Sequence, residues 1–335
     1  MNFLGMNRVS IKLSMLLGVW VSIHSDSWFG VWIGLELNLL CFIPFLTQSK
    51  ETYSEPGVKY FLIQACASFL LLMSGVSMLN YSLFMNVFIS CALLLKLGAA
   101  PYYFWYLSVG EGVTWFQFLG LSTIQKIAPL VLLFFSEVNL KISGWLISLS
   151  IILSGFVGGV GGVNELSFRK LLVYSSINHL GWIMVPLLVL NEFWLIYFLV
   201  YCLLISMVVI ILLVFGLYHM NQLFNISISF VSKITLAVSL LSLGGLPPLL
   251  GFFPKLVIIE FCSGGLMHLI MYAMIISSVM TLFYYMRVLM SSVMLNFDNM
   301  KFLMSKMEIL SCSFMMVVSM LGGLVYYLVF KSFLQ

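Results

Sequence analysis

Apolar runs of about 20 residues follow one another along almost the whole chain, and each is long enough as a helix to cross a ~30 Å hydrocarbon core. Eleven such segments are read, near 9–25, 27–46, 57–79, 82–101, 112–135, 142–161, 168–189, 191–217, 231–262, 266–294 and 308–331. Lipid offers the backbone no hydrogen bonds, so each segment must satisfy itself as a helix, and the runs are far too long for barrel strands. Composition agrees: 62% of the 335 residues are hydrophobic and 8% charged, against roughly 25% charged in soluble domains. The expected fold class is an all-α polytopic membrane protein of about eleven transmembrane helices, one membrane domain over 1–335. The first run, Ile11 to Ile23, lacks a small-residue cleavage site and reads as a span rather than a secretory signal.

Ten basic residues fall on the N-terminal side if the spans alternate: Arg8, Lys12, Lys50, Lys59, Arg169, Lys170, Lys233, Arg287, Lys301 and Lys306. Lys141 and Lys331 fall on the other side. That bias places the N-terminus inside and the C-terminus outside. Three lysines remain, and they sit within spans. Lys96 lies in LLLKLGAAP, Lys126 in STIQKIAP and Lys255 in LSLGGLPPLLGFFPK. An ammonium at the centre of a membrane helix costs about 2.5–3.5 kcal/mol on insertion scales, which makes each a candidate for function.

Two of these lysines accompany broken helices. Gly98 and Pro101 follow Lys96, while Gly244, Gly245, Pro247, Pro248, Gly251 and Pro254 precede Lys255. Backbone freed by such breaks survives at membrane depth only against protein or a wet cavity. The two breaks fall in the fourth and ninth spans. Two inverted five-helix repeats, about 9–135 and 142–294, followed by a C-terminal helix at 308–331, would make them corresponding elements, the pattern expected of a transport site near the midplane. Glu36 in span 2 and His179 in span 7 are further mid-span ionisable groups, each second in its repeat. Together Glu36, Lys96, Lys126, His179 and Lys255 are expected at a common depth as a switchable row, in which charge on one member sets the protonation of the next. Asn38, Gln125, Ser175, Ser176 and Asn178 are polar neighbours able to hold water.

Other chemistries lack their ligands. The six cysteines (Cys41, Cys66, Cys91, Cys202, Cys262, Cys312) form no C-x-x-C pair, and a single mid-span histidine leaves no axial pair for haem. No dinucleotide-binding or phosphate-loop motif occurs, and the positive residues form no patch for nucleic acid. No cofactor is expected in this chain, so any redox or hydrolytic energy must come from another subunit. Glu111, Glu137, Glu192, Glu260, Asp298, His24, His219 and His268 read as interfacial. Trp28, Trp105, Tyr106, Trp145, Trp182, Tyr326 and Tyr327 read as interface-belt aromatics.

The segments SWFGVWIGLELNLLCFIPFL, VKYFLIQACAS, ALLLKLGAAPYYFW, IQKIAPL, FRKLLVYSSINHLGW and LSLGGLPPLLGFFPK closely resemble the antiporter-like membrane subunits of respiratory complex I, from about Ser27 to Arg287. The resemblance implies a proton-translocating core subunit of NADH:ubiquinone oxidoreductase with an antiporter-like fold. Carried over by motif, Glu36 is the buried glutamate, Lys96 and Lys255 the lysines of the two broken helices, Lys126 the central lysine, and His179 a histidine of the linking region. It further implies the mitochondrial inner membrane, with the N-terminus in the matrix and the C-terminus in the intermembrane space. The implied partners are other complex I membrane subunits, neighbouring antiporter-like chains among them, together with membrane lipids. NADH, flavin, iron–sulfur clusters and ubiquinone would belong to other subunits. Tyr103 stands where many relatives have histidine, and Ile124 where tryptophan is common. The alternatives are a stand-alone cation/proton antiporter and a purely structural membrane subunit.

Overall fold

The computed structural model describes residues 2–47, 55–77, 82–140, 144–189, 192–225, 230–247, 249–262, 267–293 and 319. The span expected at 308–331 lies outside the described residues apart from Ser319. Regular structure among the described residues is helical, with one isolated antiparallel bridge between Ser167 and His219. Seven helices there are long and apolar enough to cross a membrane, and three shorter apolar helices cover Ser10–His24, Asn86–Leu97 and Ser232–Gly244.

The chain divides into two compact units, residues 1–153 and 154–335. Unit 1 contains α1 (Asn2–His24), α2 (Trp28–Thr47), α3 (Glu55–Ser77), α4 (Ser82–Leu97), α5 (Phe104–Gly112), α6 (Trp115–Ser122) and α7 (Ile124–Leu140). Helix α8 (Gly144–Gly161) carries the boundary between the units. Unit 2 continues with α9 (Phe168–Leu188), α10 (Phe193–Val214), α11 (Gln222–Asn225), α12 (Phe230–Gly244), α13 (Phe252–Phe261) and α14 (Met267–Val293).

Where no solvent drives apolar faces together, small residues let backbones approach. Helices α1 and α2 use this: a Cβ on Gly18 would stand 2.7 Å from the Asn38 nitrogen, and one on Gly34 would stand 2.5 Å from the Ser22 nitrogen. In unit 2, α9 is enclosed on every side, with 89% of its membrane window buried, and polar groups along it are shielded from lipid.

Both broken elements end in the same way. Gly98 adopts φ +70°, its N–H donates to Leu95 O at 3.2 Å and the Ala99 N–H donates to Leu94 O at 3.2 Å. Gly245 adopts φ +84°, with Gly245 N–H donating to Ser242 O at 3.1 Å and Leu246 N–H to Leu241 O at 3.3 Å. Each is a Schellman ending, in which a left-handed glycine turns the last helical carbonyls back onto chain donors. The breaks therefore lose few backbone hydrogen bonds.

Three details go beyond the sequence reading. The segment near 112–135 forms one membrane-length span, Trp115–Ser136, interrupted at Thr123 between α6 and α7, and the Thr114 N–H bonded to Gln117 Oε1 at 2.9 Å starts α6. The chain after the first break, outside the eleven segments, forms a nine-residue helix, α5. Lys233, counted on the N-terminal side, lies in the first turn of α12 and is 7% exposed.

Candidate functional site

The unit 1 site starts from the α4 break. Lys96 occupies the last turn of α4, 6% exposed, just before Gly98 ends the helix. Neighbours hold the stopped backbone in place: Gln64 Nε2 donates to Lys96 O at 3.3 Å, and Trp105 Nε1 donates to Leu95 O at 3.1 Å. Glu36, half-buried on α2, is within Coulombic reach of the Lys96 ammonium. Beside Lys96 is a cavity of about 10 Å³ whose polar lining is Asn38, Tyr60, Gln64 and Gln125, roughly the space of one water.

Two of those lining residues are clasped. Asn38 Nδ2 donates to Gln125 Oε1 at 3.0 Å and Gln125 Nε2 donates back to Asn38 Oδ1 at 3.1 Å, while Tyr60 Oη donates to the same Gln125 oxygen at 3.1 Å. Buried amides need such pairing, since an unsatisfied one costs about 1–3 kcal/mol. The clasp fixes the first turn of α7, and with it the next residue, Lys126. That side chain is 2% exposed, with its ammonium 4.9 Å from the centroid of the Tyr106 ring. Pro129 lacks the N–H that would bond the Gln125 carbonyl, which loosens the same turn.

The unit 2 site is built on α9. His179 is 4% exposed, its Nδ1 is 3.0 Å from Tyr197 Oη, and its ring lies 5.2 Å from that of Tyr201. One turn further along α9, the Trp182 ring lies 5.8 Å from the Lys255 ammonium. Lys255, 5% exposed in the first turn of α13, donates to Gly244 O at 2.8 Å. That carbonyl ends α12, where the helix dipole is negative and favours a cation. At position 245 the left-handed φ of +84° favours glycine, and a Cβ there would also stand 3.0 Å from Lys255 Nζ, so the ammonium would have to shift.

Glu36, Lys96 and Lys126 thus belong to unit 1, and His179 and Lys255 to unit 2. Three aromatics read as belt residues do other work. Trp105, Tyr106 and Trp182 are 5, 1 and 1% exposed, and each touches a lysine or the backbone beside one. Trp145, at 58%, is exposed as expected, and so are Glu111, Glu192, Glu260, His24, His219 and His268. The side chain of Glu137 and all of Asp298, Tyr326 and Tyr327 lie outside what is described. Five cysteines are free thiols, with Cys312 outside the described residues. Among the described residues no group of three or more His, Cys, Asp or Glu could hold a metal ion.

Membrane helices interrupted beside enclosed lysines define an antiporter-like membrane protein. The family model described as "NADH:quinone oxidoreductase/Mrp antiporter, TM" matches residues 25–83 and 80–281. NADH-ubiquinone oxidoreductase chain 2 of Anopheles gambiae is 40% identical over 287 residues, which are 82% of this chain and 83% of that one. The chain belongs to this NADH:quinone oxidoreductase/Mrp antiporter transmembrane family. Its fold is similar to that of a chain in respiratory complex I from Thermus thermophilus with bound aureothin, with a TM-score of 0.78 at 20% identity over 94% of this chain and 78% of that one. It is similar too to a chain of the Mrp complex from Dietzia sp., with a TM-score of 0.75 at 16% identity over 84% of this chain and 59% of that one.

Proposed function

We propose that this chain is a proton-translocating membrane subunit of NADH:ubiquinone oxidoreductase, in which Glu36, Lys96, Lys126, His179 and Lys255 carry the protons. It acts in the mitochondrial inner membrane with its N-terminus on the matrix side. Redox energy comes from NADH oxidation in other subunits. The observation that carries the reading is the enclosure of Lys96 and Lys255 at two helix breaks of the same design, in a chain related to NADH-ubiquinone oxidoreductase chain 2. The shared glycine endings also support two repeats, about 9–135 and 142–294.

The chemistry rests on how these groups respond to charge. Burial disfavours any charged form, while a nearby opposite charge favours it. Glu36 beside Lys96 makes the charge of one depend on the other, so a shift in either moves a proton. Lys126 contributes a cation that repels charge on its neighbours. The polar cavity at Lys96 has room for about one water with which to pass the proton on.

Lys126→Ala is expected to lower the number of protons pumped per NADH oxidised in the assembled complex. An unchanged ratio would refute the assignment. A loss of assembly with an unchanged ratio in the complex that does form would instead favour a structural subunit, and sodium-dependent transport by the isolated chain would favour a stand-alone antiporter.

A further inference from the structure

Helix α5 follows directly on the α4 break, and its first turn is tied back to that break. Trp105 Nε1 donates to Leu95 O at 3.1 Å, which answers a carbonyl that the ended helix leaves open. Tyr106 packs the root of its side chain on Gly98: a Cβ built there would stand 3.0 Å from Tyr106 Cβ and 3.3 Å from its Cγ. A larger residue at 98 would crowd Tyr106, and the φ of +70° that ends α4 favours glycine as well. The Trp105 and Tyr106 rings meet edge to face with centroids 5.7 Å apart, so each braces the other.

The face of the Tyr106 ring takes the Lys126 ammonium, 4.9 Å from the centroid and within the roughly 6 Å over which a ring quadrupole attracts a cation. Ring and lysine are 1 and 2% exposed, and the exclusion of water strengthens the attraction. The Asn38–Gln125 pair fixes the first turn of α7, so Lys126 reaches the ring from a set position. This attraction depends on charge. The ring holds an ammonium and has little hold on a neutral amine. A carboxylate in the same place would bind the ammonium more strongly and compete for its proton, whereas a ring face does neither. Unit 2 has a similar pairing of its own, with the Lys255 ammonium 5.8 Å from the centroid of the Trp182 ring.

We propose that Tyr106 is a positioning residue for proton transfer, whose ring holds the charged Lys126 in place and ties it to the α4 break beside Lys96. The proposal rests on the function given above, because it supplies the seat for one of its proton carriers. While Lys126 is protonated, the ammonium, the ring and Gly98 form one continuous contact. Once the proton leaves, the attraction lapses. Charge at Lys126 thereby reaches the backbone beside Lys96, and Tyr106 itself gains and loses no proton.

The test uses the intact complex, with protons moved per NADH oxidised in sealed vesicles and the thermal midpoint of the purified complex as readouts. Tyr106→Leu removes the ring and keeps an apolar side chain. It is expected to lower the ratio by most of the fall that Lys126→Leu gives, with no further fall in the double variant, the non-additivity of two groups that act together. Tyr106→Phe, which keeps the ring face, is expected to restore most of what Tyr106→Leu loses. The thermal midpoint separates a seat from mere packing: Tyr106→Leu is expected to lower it more in the parent than in Lys126→Leu, where no ammonium needs the ring. If Tyr106→Leu does not assemble, Tyr106→Met, unbranched and able to fill an irregular gap, takes its place with the same expectations. An equal drop in midpoint in both backgrounds, or a ratio in Tyr106→Phe as low as in Tyr106→Leu, would overturn the seat. So would a parental ratio in Tyr106→Leu beside a lowered one in Lys126→Leu, and that result would leave the lysine assignment standing. A parental ratio in Lys126→Leu would overturn the assignment, and the seat with it.

Discussion

At Lys255 the Gly244 carbonyl at 2.8 Å and the Trp182 ring at 5.8 Å take the place of a hydration shell. This environment has a consequence for stability. Taking an ammonium out of water carries a desolvation penalty of several kcal/mol, which an apolar side chain of similar volume does not incur. Lys255→Met is therefore expected to leave the thermal midpoint of the purified complex at or above that of the parent, while lowering protons pumped per NADH. Gly245→Ala should behave in the opposite way toward stability. Its left-handed φ of +84° costs a residue with a Cβ about 1–2 kcal/mol, and the new atom would stand 3.0 Å from the Lys255 ammonium. A lowered thermal midpoint is expected, and an unchanged one would show that the turn adapts at no cost. At this scale the enclosure of Lys96, Lys126, His179 and Lys255 was legible in the sequence, since an ionisable residue inside an apolar run is conspicuous. The sequence was a poor guide to Trp105, Tyr106 and Trp182. Aromatics near a break and aromatics near a headgroup follow the same Gly- and Pro-rich punctuation, and only the fold separates them.

Helix ends decide how the elements fit. The last turn of α2 leaves carbonyls without helical donors, and Gln117 of α6 answers two of them, donating from Nε2 to Phe45 O at 2.8 Å and to Leu46 O at 2.7 Å. The same side chain accepts the Thr114 N–H with its Oε1, so one residue starts α6 and finishes α2. Gln117→Leu removes both functions. With a lost buried hydrogen-bond partner costing about 1–3 kcal/mol, the variant is expected to reduce the yield and heat tolerance of the assembled complex. A normal yield and thermal midpoint would show that other donors replace it. The two interruptions were legible because Gly and Pro state them outright. Helix α5 was not, because FWYLSVGEG is too short to register as a span and follows directly on a break. The division of α6 from α7 at Thr123 was hidden for a related reason: both halves are apolar, and no Gly or Pro marks the join.

Across the molecule, the positive charges should fix orientation. In unit 2 the guanidinium of Arg287 binds the 163–165 backbone immediately before α9, so Arg287, Arg169 and that loop share one end. The orientation proposed above from the bias of lysine and arginine would put this end on the matrix side. Asn164 is exposed there, and Asn164→Cys is expected to react with a membrane-impermeant maleimide in inside-out vesicles but not in right-side-out mitoplasts. The reverse pattern would invert the topology. The all-helical membrane fold was legible from the hydropathic rhythm, since long apolar helices recur through both units. Burial was less legible residue by residue, as Lys233 at 7% exposed shows, because a lysine near a span end looks the same in sequence whether it faces water or is covered by neighbouring helices.

The glycine that makes room for the Lys255 ammonium leaves this stretch brittle under mutation. Every change to the first or second base of a glycine codon gives either a stop or a residue with a β-carbon. Nearly any missense lesion at position 245 therefore disturbs the turn and the lysine beside it at once. An error in either of the first two bases there is expected to impair folding together with the proposed proton transfer at Lys255, even though residue 245 itself carries no titratable group.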